Sequence, residues 1–252
     1  MSTQTPIQID EIDYPTGDGE PVAETPIHRD NLVETIWMLQ RWYEEQGRDH
    51  VYVSGNMFVY YEKGNRRRHL APDVFVVDGV PNALRDCYKT WEELKPTLDL
   101  VIEFTSRSTK EEDLEDKFEL YRDELGVREY LLFDPYCEYL VPAQKLFRLK
   151  SGDYEPVEPV DGRLPSEVLG LHFERDGMRL RLWVPATQSW LPFPKEDFDE
   201  HKLLRRKYDD LRHDHLDLLA REKRRDAEIE TLRAELESLK RKVSGTDGNG
   251  GE

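Results

Sequence analysis

The sequence APDVFVVDGV at residues 71–80, together with DLVIEFTSRSTKEEDLEDKFELYRDELGVREYLLFDP at residues 99–135, decides the fold. It contains two short β-branched runs, which have the pattern of buried strands. The first run begins directly after Asp73, and the second ends at Glu103. A buried carboxylate has to be paired, hydrogen-bonded or bound to a metal. Two carboxylates at the ends of neighbouring strands therefore predict a site for one hard cation such as Mg²⁺, which prefers oxygen ligands.

A helix is predicted directly after the second run. Two overlapping capping-box pairs open it, Ser108 with Glu111 and Thr109 with Glu112. An apolar stripe at helical spacing follows, and its members are Leu114, Phe118, Tyr121 and Leu125. Lys117 lies beside this stripe, where a long stem can pack while the ammonium group reaches out of the core. Gly126 ends the predicted helix, and a third strand is expected at residues 127–133.

The ordered set of these motifs resembles the Uma2 family, which belongs to the PD-(D/E)XK restriction-endonuclease-like superfamily. The resemblance covers roughly residues 20 to 185. The matching residues are Pro72–Asp73, the Val-Ile-Glu103-x-Thr-Ser run, the Ser-Thr opening of the helix, Lys117 with Tyr121, and residues 126–130 before Asp134–Pro135.

The resemblance implies an α/β fold, with a mixed sheet and flanking helices, and a metal-dependent endonuclease that hydrolyses phosphodiester bonds. Asp73 and Glu103 would bind Mg²⁺, with Mn²⁺ as the alternative ion, and Lys117 would stabilise the transition state or orient the attacking water. The superfamily pattern places its lysine two residues after the second acid, where this chain has Thr105. Lys117 therefore looks like a migrated replacement, and Thr105 becomes an auxiliary site residue.

The resemblance also implies an acid and a histidine just before the first helix as auxiliary site residues. Here these are Glu24 and His28. The alternative is a helix-capping segment with Asp30 as the N-cap residue. The helix itself is predicted from an apolar stripe of four residues, which are Leu32, Ile36, Leu39 and Tyr43.

Basic residues near the two acids are candidates for nucleic-acid binding. Arg66, Arg67 and Arg68 form a run shortly before Asp73, which is either a phosphate clamp or a solvated turn. Two further candidates lie at the start of the helix after Glu103, and they are Arg107 and Lys110. The expected partner is nucleic acid, with DNA favoured over RNA.

Composition restricts the function classes. The net charge is −17, and residues 195–242 carry equal numbers of basic and acidic side chains, so the acidity belongs to the first 194 residues. Avid non-specific DNA binding is therefore not expected, because its affinity comes from phosphate neutralisation. Cys87 and Cys137 are too few for a disulfide framework. The absence of a signal-like or membrane-spanning apolar run predicts a cytoplasmic protein with no membrane partner.

Strands are also predicted on both sides of the opening stretch. Residues 51–61 have the composition of one or two strands. After Pro135 four more strands are expected, at residues 139–149, 154–160, 169–174 and 178–184. Asp176–Gly177 has the composition of a hairpin turn between the last two.

Four regions are predicted along the chain: a flexible arm at residues 1–25, the nuclease-like domain at 26–194, a coiled-coil helix at 195–244 and a disordered tail at 245–252. The helix has alternating steps of three and four between the seam residues His201, Leu204, Tyr208, Leu211, His215, Leu218, Glu222, Arg225, Ile229, Leu232, Leu236, Leu239 and Val243. This spacing predicts a left-handed coiled coil, and so a homodimer through residues 201–243. The alternative is one helix folded back on its own domain.

Three functions remain open from the sequence. The first is a Mg²⁺-dependent endonuclease, and the second is a nuclease-like fold that has lost activity and serves as a binding or assembly module dimerised by its coiled coil. The third is an α/β domain whose carboxylates cap loops. Serine hydrolysis by a Ser-His-Asp triad is not supported, because the sequence has no Gly-x-Ser-x-Gly motif.

Overall fold

The computed structural model of the protein describes residues 14–16, 25–92, 97–107 and 109–246. The chain divides into two compact units, and the boundary between them follows Pro194. Among the helices of the described residues, none has the length and apolar character needed to cross a membrane.

The described residues contain both strands and helices. In chain order the strands are β1 (Val51–Ser54), β2 (Val59–Tyr60), β3 (His69–Leu70), β4 (Val74–Asp78), β5 (Tyr88–Lys89), β6 (Leu100–Phe104), β7 (Glu129–Phe133), β8 (Gln144–Lys150), β9 (Asp153–Pro156), β10 (Leu164–Pro165), β11 (His172–Asp176), β12 (Arg179–Val184) and β13 (Ser189–Trp190). The α-helices are α1 (Pro26–Glu45), α2 (Lys110–Leu114), α3 (Asp116–Glu119) and α4 (Pro194–Thr246). A 3₁₀ turn lies at Thr90–Glu92 and a π-helical turn at Leu120–Glu124.

A six-stranded mixed sheet with the order β1-β4-β6-β7-β8-β9 carries the candidate site. Neighbouring strands are antiparallel except β6 and β7, which are parallel. The described residues also form a four-stranded sheet with the order β10-β11-β12-β13 and a three-stranded sheet with the order β3-β2-β5. The prediction of a mixed α/β fold is confirmed.

Both faces of the central sheet are buried at β4, β6 and β7, which explains the continuous apolar runs of these strands. On β4, Val74 and Val76 enter one hydrophobic cluster together with side chains of α1. The intervening Phe75 and Val77 enter a second cluster, which contains Tyr121. Because strand side chains alternate between faces, the sheet is held between two apolar layers.

The first helix begins earlier than the sequence analysis placed it. Thr25 is the N-cap residue and accepts a hydrogen bond from the backbone N–H of His28, while Pro26 occupies the first turn. The prediction of Asp30 as N-cap is therefore wrong, because Asp30 lies inside the helix. Proline at the first helical position is itself a helix start signal. A backbone N–H at that position has no partner within the helix, so its absence in proline costs no hydrogen bond.

The helical segment after β6 is broken rather than continuous. It consists of α2, α3 and the π-helical turn, and Glu115 at the break has φ −121° and ψ −77°, outside the helical region. The Tyr130 hydroxyl donates to the carbonyl of Asp113 at 2.9 Å, so this carbonyl has a partner from outside the helix next to the break. Thr109 is the N-cap residue of α2, as predicted, but its side chain does not make the predicted capping hydrogen bond; Ser108 lies outside the described residues.

Other predicted elements agree with the structure to different degrees. β8, β9, β11 and β12 overlap the four strands expected after Pro135, and the turn at Asp176–Gly177 joins β11 to β12. The arm predicted at residues 1–25 lies outside the described residues except at Thr25, which caps α1, and at residues 14–16. There the ring of Tyr14 lies 4.9 Å from that of Tyr60, and its hydroxyl accepts the N–H of Gly64 at 2.8 Å.

The described part of the second unit is helix α4 from Lys195 onward. Apolar side chains project from it into solvent, including Leu204, Tyr208, Leu211, Leu218 and Leu236. These five residues all belong to the predicted seam. Pairing of the helix with a second copy stays a prediction.

Candidate active site

The antiparallel pairing of β4 and β6 brings the two candidate acids together. Val74 pairs with Ile102, so Asp73, one residue before β4, lies opposite Glu103. The backbone N–H of Asp73 donates to Oε2 of Glu103 at 3.4 Å. Both carboxylates therefore lie at one edge of the sheet.

Asp73 is held by a backbone group and by a side chain from α1. Its Oδ2 accepts the backbone N–H of Phe104 at 2.7 Å, and its Oδ1 lies 3.0 Å from Nε2 of His28. The ring of His28 also packs against the edge of the Phe104 ring. The structure thus places His28, one of the two predicted auxiliary residues, in direct contact with Asp73. Glu24 lies outside the described residues.

Glu103 is completely buried and is engaged through both carboxylate oxygens. Oε1 accepts the hydroxyl of Tyr121 at 2.7 Å, and Oε2 lies 3.2 Å from Nζ of Lys117. Burial raises the pKa of Glu103 to about 8, because desolvation and the neighbouring Asp73 and Asp113 outweigh the opposing effects of Lys117 and the tyrosine hydrogen bond. Burial therefore disfavours the ionised form of Glu103.

Lys117 bridges two buried carboxylates. Besides Glu103, its Nζ donates to Oδ1 of Asp113 at 2.9 Å. Although desolvation lowers the pKa of Lys117, the charges of Glu103 and Asp113 raise it more, and the net result is a pKa above the ordinary range. Lys117 is thus a fixed cation, oriented toward the edge where Asp73 and Glu103 meet.

Asp113 is a site residue that the sequence analysis missed. It is buried beside Lys117 and four residues before it, the spacing at which helical side chains become neighbours. Its spacing of four residues from Lys117 was the signal in the sequence that could have identified Asp113 as a site residue. Several other acids on the same segment, among them Glu111 and Glu112, have no such relation to the lysine and obscured it.

Thr105 occupies the position where the superfamily pattern has its lysine. Its backbone N–H donates to the carbonyl of Phe133 at 2.8 Å. Its hydroxyl is buried and has no hydrogen-bond partner among the described residues. Two residues after Glu103 the structure therefore has a buried hydroxyl group in place of the superfamily's ammonium group.

The predicted nucleic-acid-binding residues are dispersed. Arg68 forms ion pairs with Glu62 and Glu124, and its guanidinium stacks over the ring of Tyr61. Arg66 and Arg67 belong to the loop before β3, while Arg107 is exposed in the loop after β6 and Lys110 is exposed at the first position of α2. The structure brings none of these five arginine and lysine residues into a described contact with Asp73 or Glu103, and their role stays a prediction.

The two carboxylates at this sheet edge suit a single divalent cation bound by one or two carboxylates, rather than a metal ion bound by three or more protein side chains. Within the described residues, no three His, Cys, Asp or Glu side chains are grouped so as to hold a metal ion. Mg²⁺, however, is commonly bound by one or two carboxylates with water in its remaining positions. When Asp73, Glu103 and Asp113 are ionised, Lys117 offsets only one of three negative charges. A dication beside Asp73 and Glu103 would balance the other two.

Comparisons with known proteins give one family match. The family model described as "Uma2: Putative restriction endonuclease" matches residues 6–180. Among solved structures, the "Crystal structure of a putative nuclease belonging to DUF820 from Anabaena variabilis ATCC 29413" is similar with 14% identity and a TM-score of 0.42, and the match covers 63% of this chain and 85% of that one. This likeness is too distant to assign a function. No curated protein matches the chain.

Proposed function

The chain belongs to the Uma2 family, as its motifs predict, and we propose that it is a Mg²⁺-dependent endonuclease that hydrolyses phosphodiester bonds of nucleic acid, with DNA as the favoured substrate. The convergence of Asp73, Glu103 and Lys117 at one sheet edge is the observation that carries this proposal. Two acids and one fixed cation suit a reaction in which a negatively charged phosphate is attacked by water.

Each residue has a distinct role in this proposal. Asp73 and Glu103 hold the ion, with Mn²⁺ as a substitute, and the backbone carbonyl of Phe104 is an additional oxygen donor. When bound, a divalent ion supplies an activated water molecule and neutralises charge on the phosphate. Lys117 stabilises the developing negative charge, and Asp113 fixes the position of its ammonium group. His28 holds Asp73 from the opposite side.

A second candidate function is a nuclease-like module without activity. Two observations favour it. Thr105 stands where the superfamily has its lysine, and the ammonium group of Lys117 is already shared between Glu103 and Asp113. In this alternative the domain binds or assembles other molecules, and its copies are joined through α4.

We further propose that the protein is a homodimer joined through α4. Several apolar seam residues of this helix are exposed in the single chain, with 70% of Leu211 and 55% of Leu236 accessible, although the seam also contains the charged Glu222 and Arg225. A second copy buries such a seam, because the 3-4 spacing places it along one face of the helix. Two joined nuclease domains would act on two strands or two sites.

Cleavage of plasmid DNA tests the first proposal. The parent protein is incubated with supercoiled plasmid, single-stranded circular DNA and RNA, in Mg²⁺, in Mn²⁺ and in EDTA. We expect cleavage only with a divalent ion, and its loss in Asp73→Asn. Asp78→Asn is the matched control, because Asp78 lies at the opposite end of the same strand and is exposed. A parent that cleaves none of the substrates with either ion favours the inactive module.

A further inference from the structure

Tyr121 holds one of the two carboxylate oxygens of Glu103 inside the protein. Its hydroxyl donates to Oε1 at 2.7 Å, and both side chains are buried, with 0% of Tyr121 and 1% of Glu103 exposed. We propose that Tyr121 is a positioning residue that limits Glu103 to one metal-binding oxygen, and that the site thereby selects Mg²⁺ over Ca²⁺. This inference rests on the proposed function, because it concerns the same metal site.

The two cations differ in the oxygen ligands that they need. Mg²⁺ takes a near-octahedral set of oxygens at roughly 2.0–2.1 Å and usually combines one or two carboxylates with several water molecules. Ca²⁺ takes roughly six to eight oxygens at longer distances, and it readily binds both oxygens of one carboxylate. A carboxylate that offers one oxygen therefore suits Mg²⁺, whereas a carboxylate that can turn both oxygens toward the ion suits Ca²⁺.

The second oxygen of Glu103 faces the sheet edge and is held less closely than the first. Oε2 lies 3.2 Å from Nζ of Lys117 and 3.4 Å from the backbone nitrogen of Asp73, and both distances exceed the 2.7 Å of the tyrosine hydrogen bond at Oε1. Oε1 points instead toward Tyr121, which belongs to the hydrophobic cluster on one face of the sheet. Oε2 is therefore the oxygen that Glu103 presents to an ion beside Asp73.

The backbone around Tyr121 fixes where its side chain begins. Tyr121 belongs to the π-helical turn Leu120–Glu124. In this turn the N–H of Leu125 donates to the carbonyl of Leu120 at 3.1 Å, and the carbonyl of Tyr121 accepts the N–H of Val127 at 2.8 Å. Single π-helical turns inside helices are frequent at functional sites. Here the turn carries the side chain that contacts the candidate metal ligand.

The aromatic ring of Tyr121 is held from the neighbouring strand β7. It packs against the ring of Tyr130 at 4.9 Å between ring centres, and the Tyr130 hydroxyl donates to the carbonyl of Asp113 at 2.9 Å. Tyr130 is itself completely buried. Because a close-packed core leaves a ring little room to move, the Tyr121 hydroxyl stays directed at Oε1. The Glu103 carboxylate is therefore kept in one orientation.

Asp73 is also held at both oxygens, so it cannot replace a lost constraint on Glu103. Its Oδ2 accepts the N–H of Phe104 at 2.7 Å, and its Oδ1 lies 3.0 Å from Nε2 of His28. The site thus combines two carboxylates whose orientations are set by neighbouring groups. A small and fixed set of oxygens is the arrangement that favours Mg²⁺, because selectivity between the two ions depends on ligand number and flexibility.

Calorimetric titration of the full chain with Mg²⁺ and with Ca²⁺ tests the inference. Tyr121→Phe removes the hydroxyl and keeps the ring. We expect the ratio of Mg²⁺ to Ca²⁺ affinity to fall about tenfold, within the range for residues that orient a metal ligand. Protonation of Glu103 lowers both affinities by the same factor, so the ratio reports ligand geometry rather than proton competition.

Tyr154→Phe is the matched control. Tyr154 is buried in the same hydrophobic cluster as Tyr121, but its hydroxyl donates to the backbone carbonyl of Val127 at 2.9 Å. The control also loses one buried hydroxyl hydrogen bond and should keep the parent ratio. Thermal unfolding in EDTA checks that both variants are folded. The parent alone provides a second measurement, since it should bind Mg²⁺ at least as tightly as Ca²⁺.

The outcomes separate the role of Tyr121 from the proposed nuclease. A fall in the ratio confined to Tyr121→Phe supports the inference. A folded Tyr121→Phe with the parent ratio overturns it, as does a parent that prefers Ca²⁺ or a Tyr154→Phe variant whose ratio falls equally, and in these cases a Mg²⁺-dependent endonuclease still stands. A parent that binds neither ion overturns both the selectivity and the Mg²⁺-dependent reaction.

Discussion

Gly55 lies directly against the backbone carbonyl of Asp73. A Cβ atom on Gly55 would overlap the carbonyl oxygen of Asp73 and would lie 2.8 Å from its carbonyl carbon and 3.1 Å from Cδ1 of Ile36. The next residue, Asn56, donates its N–H to the carbonyl of Pro72 at 2.8 Å. The loop after β1 therefore supports the backbone from which the Asp73 carboxylate projects, and only glycine permits this distance.

We predict that Gly55→Ala abolishes cleavage by displacing Asp73. The collision is with backbone rather than with a flexible side chain, so overpacking should also cost about 1–3 kcal/mol of unfolding free energy. Gly64→Ala is the control, since Gly64 has a positive φ but free space around it. The control should lose about 1 kcal/mol through backbone strain and keep its activity. Urea unfolding and plasmid cleavage measure the two effects, and an active Gly55→Ala would contradict the geometry.

Removing the ammonium group of Lys117 should affect both rate and stability. We expect Lys117→Met to lower the cleavage rate by about 100-fold with little change in nucleic-acid affinity, because the charge acts on the transition state. The same change leaves the buried Asp113 without its cation, which should cost roughly 3 kcal/mol of unfolding free energy. Single-turnover kinetics and urea unfolding measure the two consequences.

Two variants separate the roles of Lys117. Lys110→Met removes a lysine from the exposed start of the same helical segment and should leave stability, and the single-turnover rate at saturating nucleic acid, near parent values even if it weakens nucleic-acid binding. The double variant Lys117→Met with Asp113→Asn should recover part of the stability, because one unpaired buried charge is gone, but none of the rate. Full activity in Lys117→Met, with loss of activity in Lys110→Met, would transfer the catalytic role to Lys110.

Magnesium affinity should rise with pH up to about pH 8. Burial raises the pKa of Glu103 to about 8, so the ligand-free carboxyl carries a proton at neutral pH. Metal binding needs the ionised form, and the proton competes with the ion. Between pH 6 and pH 8 we expect affinity to increase by up to about tenfold per pH unit, with release of one proton per ion. Calorimetry in buffers of different ionisation enthalpy measures both quantities.

The raised pKa of Glu103 also determines how the stability of the metal-free protein changes with pH. In the metal-free chain the folded protein holds the Glu103 proton more tightly than the unfolded chain does. This contribution to stability is complete below the ordinary carboxyl pKa of 4.5 and is lost as pH rises through about 8. The Glu103→Gln variant has no carboxyl proton to lose. Its free energy of unfolding should therefore increase relative to that of the parent as pH rises from 6 to 9. A parent and variant with parallel pH profiles would contradict the shift.

Part of this site could be predicted because it depends on local pattern. Asp73 and Glu103 adjoin apolar runs whose burial is evident from composition, and Lys117 lies beside a helical stripe. Antiparallel pairing of the two strands then brings both acids to one edge. The family motifs gave the order of the site residues along the chain. Strand burial explained why two carboxylates at that edge need a partner.

The remaining features depend on contacts between distant parts of the chain. His28 reaches Asp73 only because α1 begins at Pro26, and the Asp30 cap predicted from the sequence gave the wrong start. Asp113 contacts Lys117 at helical spacing, but its burial depends on the opposing strand that carries Tyr130. Sequence pattern identifies which side chains are apolar, whereas these polar contacts are determined by the tertiary packing.

The seam of α4 gives the last prediction, which concerns oligomeric state. If two copies pair along the seam, Leu236→Glu should shift the full chain from dimer to monomer at micromolar concentration, because each helix would place a charge at an apolar contact of the coiled coil. Leu216→Glu is the matched control, since Leu216 is exposed on the same helix but lies outside the seam. Sedimentation equilibrium of the parent and both variants measures the change. A parent that is monomeric at micromolar concentration, or a control that dissociates as readily as Leu236→Glu, would mean that the seam does not join two chains.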